Sequence, residues 1–478
     1  MRRKRLALLL LAAAMLVLLA GCAQGNQTDF TAEQLEVWIW DESERETWQT
    51  IAASWTERTR IAVEITVKDE ESYWEDVSSG LLPDLLWVDG GHLQDCIQSG
   101  LLLALDDRLE GSSVQIENDY EPLRTLYQSG GSTWAVPKDS RVTALWYSRS
   151  IFDSRQMDYP DETWTWQDVY EAARELTDRA SGLYGFVLNQ TDTANGWYNL
   201  VYSAGGAILR VDESGVSAAA WDDGRTLAAM ELLAGLIADT MPSQPTMAQQ
   251  GTMELFTSGH AAMVLLDSDQ ALELLSQGGS SQWACTVLPY WDQDGSGDCG
   301  EGERAAVLDG TGWAISGRCE DPNAAFDLLE AFAGQTGQEA QVSAGIALPA
   351  VSGLQETWEE TIWTGALAPY RTMLESALLV QTPRQAAGQT WEDYAMETTL
   401  YTAWNNPDTM GEMLAEQQSY TASELSGASA PADAAGQDAG TDEDTSQSTQ
   451  TDGDPAQSAE SSAPEDGTDS AESGEDTP

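Results

Sequence analysis

The apolar run Leu35–Trp40 (LEVWIW) is followed at once by Thr47–Arg58, where Trp48, Ile51, Ala52 and Trp55 recur at helical spacing, and then by the alternating segment Ile61–Val67. Strand, helix and strand in so short a stretch bury their apolar faces together when the strands lie parallel and the helix packs across them. The rhythm continues with apolar Leu85–Val88, a turn at Asp89–Gly91, a helical stretch and a stop at Gly100. The chain is therefore expected to be α/β, with a parallel sheet covered by helices. Ligands of such sheets gather at the carboxyl ends of the strands, which points first to Trp40–Glu42 and Asp89–His92.

Later segments extend the pattern. Ser132–Ser148 reads as extended chain interrupted by Pro137, and Thr165 is placed to cap a helix running to Asp178. Gly185–Leu188, Ala261–Leu266 and Ala305–Ser316 read as strands, Asp223–Ala238 as a helix, and Pro322–Ala333 as a helix with Pro in its first turn.

Both ends differ from this middle. Arg2, Arg3, Lys4 and Arg5 precede the apolar run Leu6–Ala20, which closes on Leu19-Ala20-Gly21-Cys22. The run is short for a membrane span and has the form of an export signal, residues 1–21, with residues 22–32 as a tether. From Ser426 to Pro478 the chain has 14 acidic residues and no Lys, Arg or aromatic residue, so this acidic tail is expected to be disordered. The whole chain has 22 Lys+Arg against 79 Asp+Glu, a net charge of −57. Such a surface cannot displace phosphate counterions, which excludes nucleic acid as a general partner.

Cys96, Cys285, Cys299 and Cys319 include no C-x-x-C pair, and His92 and His260 are the only histidines. No metal site, cofactor or His-dependent catalytic triad is expected, and with neither a nucleophile–base pair nor a phosphate loop the chain does not read as an enzyme. Cys285 and Cys299 have the option of pairing across the loop Asp292–Gly302 outside the cytoplasm, or of remaining free thiols.

A set of phrases in fixed order carries a resemblance. They are Pro83-Asp84 before an apolar strand and Gln98-Ser99-Gly100-Leu101-Leu102; Trp134-Ala135-Val136-Pro137 before Ala144-Leu145-Trp146-Tyr147-Ser148; Thr163-Trp164-Thr165-Trp166; Tyr184-Gly185-Phe186; Gly205-Gly206; Phe256-Thr257-Ser258-Gly259-His260-Ala261-Ala262-Met263; and Gly312-Trp313-Ala314-Ile315-Ser316. In order and spacing the chain resembles the extracellular solute-binding proteins of the maltose-binding-protein type, the capture subunits of ABC importers. Leu19-Ala20-Gly21-Cys22 likewise resembles a bacterial lipobox, with Cys22 as the lipidated residue. The resemblance implies a two-lobed fold of the periplasmic-binding-protein kind, with a hinge and a ligand cleft between the lobes. Placed on this chain, lobe one would be residues 33–140 and 262–317, and lobe two residues 141–261 and 318–425. The crossings would lie near Pro137–Val142, Gly259–Met263 and Ser316–Asp321.

It also implies a monomer on the outer face of the cell membrane, held by lipid on Cys22, that passes a small solute to permease subunits. A sugar needs carboxylates and amides for its hydroxyls and flat rings for its C–H faces. The candidate ligand residues are Trp40, Asp41, Asp89, Arg141, Trp197, Asp267, Asp269, Trp291 and Trp363. Leu266-Asp267-Ser268-Asp269 stands where many sugar binders have Gly and Trp. That keeps a cationic solute such as a polyamine open beside a sugar or oligosaccharide. Sensing or scaffolding without transport is the other reading.

Overall fold

Residues 30–114, 116, 121–189, 196–211, 217–276, 281–362, 367–382 and 406–426 are described by the computed structural model. The expected export signal, Cys22, Trp363 and the acidic tail beyond Ser426 lie outside them.

The first sheet grows from the opening βαβ unit. Gln34–Ile39 (β1), Ala62–Val67 (β2) and Leu85–Asp89 (β3) are parallel, and Arg45–Thr59 (α1) is the crossover between the first two. Glu70–Ser79 (α2) joins β2 to β3; its N-cap Asp69 accepts from the Ser72 amide at 3.0 Å, and Gly80 ends it at φ 83°. Gly90–Gln98 (α3) follows β3 directly. Ala135–Pro137 (β4) and the late strand Thr311–Ile315 complete a five-stranded sheet, in which Thr311–Ile315 is antiparallel to both neighbours. The sheet is thus mixed, where a parallel one was expected, because that strand enters from a distant part of the chain.

Period-two alternation explains its two faces. Val37, Ile39, Leu85, Trp87, Trp313 and Ile315 point to one side, onto Trp48 and Trp55 of α1 and Phe326 and Phe332 further on. Trp48, Trp313 and Phe332 meet at ring-centroid distances of 5.2, 5.5 and 4.7 Å. Such aromatic pairs add roughly 0.5–1.5 kcal/mol each beyond area burial.

The second sheet has Thr143–Ser148 (β5) at its centre, antiparallel to Met263–Asp267 (β6) and Trp283–Thr286 (β7). Bridges at Tyr184↔Ala261 and Val187↔Val264 lay the short Gly185–Leu188 segment beside it. Trp166–Leu176 (α4), opened by a capping box between Thr165 and Asp168, and Tyr198–Ser203 (α5) both pack on Gly224–Thr240 (α6) in the same region. Gln244–Thr257 (α7) and Ser268–Ser276 (α8) flank β6. Ala305–Val307 (β8) precedes Thr311–Ile315 (β9), then come Pro322–Ala333 (α9) and Gln335–Ala344 (α10).

Two of the three expected crossings are corrected by this pairing. The strand after Gly259 pairs with β5, so it stays in the second sheet, and α9 packs on α1 and β9 of the first. Three passes run between the halves built on these sheets: 138–142, between β4 and β5; 308–310, between β8, which pairs with Leu378–Val380, and β9; and 346–350, after α10. These passes are hydrogen-bonded side by side: Ser140 donates to the Leu348 carbonyl at 2.8 Å, and Arg141 and Asp309 exchange backbone bonds of 2.7 and 2.9 Å. Gly310 permits the approach, since a Cβ there would lie 2.5 Å from the Asp139 carbonyl oxygen.

Candidate functional site

A cavity of about 710 Å³ opens between the two sheets. One wall comes from the end of β1 (Trp40, Asp41), the short turn after it (Ser43, Glu44) and Thr311; the other from the end of β6 and from α8 (Asp267, Asp269, Gln270, Glu273). The passing segment between them contributes Lys138, Asp139 and Arg141. The volume suits a small organic solute.

Trp40 is half-buried and sits edge-on to Tyr73 and Trp87, with centroids 5.1 Å away in each case. Asp41 caps the turn Glu42–Glu44 by accepting from the Ser43 amide at 2.8 Å. Asp267 ends β6 at 3% exposure and accepts from the Gln270 amide at 2.8 Å, while Gln270 Oε1 accepts from the Asp267 amide at 3.2 Å. Asp269 is one residue into α8. Its Oδ2 lies 3.5 Å from Arg141 Nε, and its Oδ1 is buried without a hydrogen-bond partner. Burial pushes its carboxyl up to about 6 against the pull of Arg141. Arg141, flanked also by Asp309 at 3.9 Å, is held protonated by these acids although burial opposes its charge.

Beneath them lies a buried ionic group absent from the sequence-based candidates. Lys138 Nζ, with the side chain 1% exposed, contacts Glu44 at 2.7 and 2.9 Å and Asp139 at 2.6 Å, and stands 4.4 Å from the centroid of Trp87. Burial raises the Glu44 carboxyl to about 7 despite Lys138. Asp139 also accepts from the Thr311 amide at 2.7 Å, which ties the charges to the first strand-to-strand pass. The strand-end rule applied to Pro137 would have found Lys138 and Asp139.

Three candidates are corrected. Asp89 caps α3, accepting from the His92 amide at 2.7 Å and facing the His92 ring at 2.9 Å, and does not line the cavity. Burial would raise its carboxyl, but His92 and then Arg141 hold it below the usual range. Trp197 is fully buried at the start of α5, because its ring packs against Tyr198 and Trp221, with centroids 4.2 and 6.4 Å away. Trp291 is half-buried beside the loop after β7, with its amide bonded to the Glu303 carbonyl. Trp40, Asp41, Arg141, Asp267 and Asp269 do come together. His92 stacks on Trp74 at 3.8 Å, His260 is exposed, and Cys285 and Cys299 are both free thiols.

Two halves, each built on one of these sheets, joined by three adjacent passes and with a cavity between them, define a two-lobed binding protein of the periplasmic-binding class. Residues 41–339 match the model of the bacterial extracellular solute-binding proteins, and the chain belongs to that family. Its place of work is accordingly outside the cytoplasm. Similar solved structures include the ABC substrate-binding protein Lmo0181 from Listeria monocytogenes in complex with cycloalternan, at 15% identity and a TM-score of 0.70, over 83% of this chain and 99% of that one. An ABC transporter solute-binding protein from Thermotoga lettingae bound with α-D-tagatose aligns at 18% identity and a TM-score of 0.66, over 82% and 100%. A curated relative, the sn-glycerol-3-phosphate-binding periplasmic protein UgpB of Brucella abortus (strain 2308), is 22% identical over 249 residues, 47% of this chain and 52% of the relative. The chain spans about half the length of the curated relatives it matches.

Proposed function

We propose that this protein captures a neutral sugar or oligosaccharide in the interlobe cavity and delivers it to the permease subunits of an ABC transporter. The observation that carries the reading is the pairing, in one cavity, of the half-buried Trp40 ring with carboxylates from both walls. Rings take the C–H faces of a sugar and carboxylates accept from its hydroxyls. The complexes of structurally similar proteins with cycloalternan and α-D-tagatose support it. Six carboxylates line the cavity, and its two cationic side chains, Lys138 and Arg141, face acids. A phosphate ester such as the one in the name of UgpB would meet repulsion there.

Of the described residues, those within 30–137 and 311–345 form the proposed first lobe, and those within 143–307 and 350–426 the second. Ligand contacts both walls only when the lobes close, so it shifts an open–closed equilibrium by its differential affinity. Cys22 carries the proposed lipid that holds the protein at the outer face of the membrane, and a Cys22→Ala protein should appear in the medium.

Calorimetry with neutral oligosaccharides, polyamines and sn-glycerol-3-phosphate tests the ligand class. Heat with oligosaccharides alone is expected; heat only with polyamines or only with the phosphate ester would overturn it. Small-angle scattering should show compaction with the sugar that binds, and an unchanged radius of gyration at saturation would refute closure.

A further inference from the structure

Between β7 and β8 the chain reads Asp292-Gln293-Asp294-Gly295-Ser296-Gly297-Asp298-Cys299-Gly300-Glu301-Gly302-Glu303. Counted from Asp292, oxygen-bearing side chains fall at positions one, three, five and seven, glycine at six and glutamate at twelve. This is the register of a twelve-residue calcium loop. In such loops the first, third and fifth side chains turn oxygens inward and the seventh residue offers its carbonyl. The glycine makes the sharp turn, and the final glutamate closes the shell with both oxygens. Ser296 supplies a neutral hydroxyl where Asp or Asn is the commoner choice.

Folding brings these positions to one point. Oxygens of Asp292, Asp294 and Glu303 lie within 4.8 Å of one another, and Gly297 has a φ of 79°. Glu303 is 6% exposed, and its carboxylate receives only the Gln293 and Gly300 amides, at 2.8 and 2.7 Å. The adjacent basic residue is turned away: Arg304 donates to the carbonyls of Leu288, at 2.7 Å, and Glu162, at 2.5 Å. A buried carboxylate facing two others with no basic side chain among them is costly unless a cation joins them. The ligand order in the sequence and this buried carboxylate, which meets two backbone amides but no cationic side chain, are separate observations, and both call for a hard cation.

We propose that Asp292–Glu303 is a calcium site. It would pin the loop to the second lobe, where Gln293 Nε2 already donates to the Ser203 carbonyl at 3.1 Å and Tyr290 Oη to the Gly297 carbonyl at 3.0 Å. Mixed carboxylate, hydroxyl and carbonyl oxygens on a long loop suit calcium better than the smaller, strictly octahedral magnesium. The loop leads straight into β8 and the pass at 308–310, so the ion would steady one strand of the hinge.

The test uses the mature full-length chain after treatment with a chelator. Terbium luminescence excited through the neighbouring Trp291 should saturate at one site and be displaced by calcium but not by equal magnesium. Calorimetry with calcium alone should give a dissociation constant on the order of 10⁻⁴ M or tighter. Calcium should raise the melting temperature of the wild type. Glu303→Gln and Asp292→Asn should weaken binding about tenfold or more, while Asp298→Asn, at the carbonyl position, should change it by less than about twofold. Glu303→Gln should melt with the chelated wild type and not respond to calcium. Should it melt lower, the exposed Asp294 provides Asp294→Asn as the variant to be compared. Absence of saturable binding, or equal calcium affinity in wild type and Asp294→Asn, which would place the ion on the acidic tail, overturns the proposal.

Discussion

Lys138→Met is the most informative single perturbation, because Lys138 neutralises two buried acids at the floor of the cavity. In the wild type its ammonium lies 2.7 Å from Glu44 and 2.6 Å from Asp139, whose side chains are 6% and 4% exposed. Methionine keeps the length and removes the charge, leaving both carboxylates in low dielectric. Removing one partner of a buried ion pair costs about 3–5 kcal/mol. Lost attraction to the Trp87 ring adds to this, and Met contact with that ring offsets part of it. For a lobe of some two hundred residues the loss corresponds to a fall in melting temperature of roughly 6–20 °C.

The loss should depend on pH in a direction the structure fixes. Glu44 is raised in the fold to about 7 from 4.5, so its favourable share is complete below pH 4.5 and fades as pH rises through about 7. Without Lys138 the folded pKa rises further, and the variant keeps losing stability above pH 7, where the wild type has finished doing so. Urea unfolding followed by tryptophan fluorescence at pH 5.5 and pH 8 measures this, with the larger deficit expected at pH 8. The triple variant Lys138→Met, Glu44→Gln, Asp139→Asn should recover most of the loss, since neutral groups need no counter-charge. A deficit under about 1 kcal/mol at pH 8, or one equal at both pH values, would refute the view that these charges depend on one another.

Trp40→Ala should weaken sugar binding roughly 10–100-fold by calorimetry, the worth of one aromatic face; unchanged affinity in a folded variant would return Trp40 to the aromatic cluster alone. Asp269 is raised to about 6 from 3.8, so its share of stability is present below 3.8 and lost as pH rises through about 6. Asp269→Asn should therefore melt higher than the wild type at pH 8. Wild-type affinity should grow as pH rises through about 6 and become flat in that variant; a pH slope that survives the substitution would acquit Asp269. Asp89 is held low, so its share is present above its ordinary value and fades as pH falls through the folded one. Asp89→Asn keeps a good cap and should cost about 0.5–1 kcal/mol at pH 7 with ligand affinity unchanged, whereas a tenfold loss of affinity would place Asp89 in the cavity after all.

What could be read from the residues divides along physical lines. Strand and helix types were legible because period two and period 3.6 are local, and the strand-end rule found Trp40 and Asp41 for the same reason. Asp267, on the phrase after Gly259, was found by resemblance. The same rule failed at Asp89, where a carboxylate at a helix start had a backbone amide to satisfy. Trp197 was misplaced because a tryptophan in a loop has no period to say which way it turns. Glu44 and Lys138, 94 residues apart, meet only through the packing of β1 against the first pass, a long-range contact that no local pattern encodes.

The misassigned strand matters most for mechanism. The continuous apolar run Ala261–Leu266 marks a buried strand and says nothing about its partner, and the resemblance alone assigns it to the first lobe. Its pairing with Thr143–Ser148 moves Asp267 and Asp269 to the wall opposite Trp40 and Asp41. Carboxylates then face one another across the cavity instead of sharing one side. Closing the walls without a ligand brings like charges together as water leaves, and repulsion between them strengthens as the dielectric falls. Arg141, shared by Asp269 and Asp309 at the pass, offsets only part of this. A solute rich in hydroxyls donates to acids on both walls at once, and so turns a repulsive gap into a bridged one. On the proposed function, the acidic lining would favour the open state until such a donor arrives, and the free energy of those hydrogen bonds would be what closure draws on.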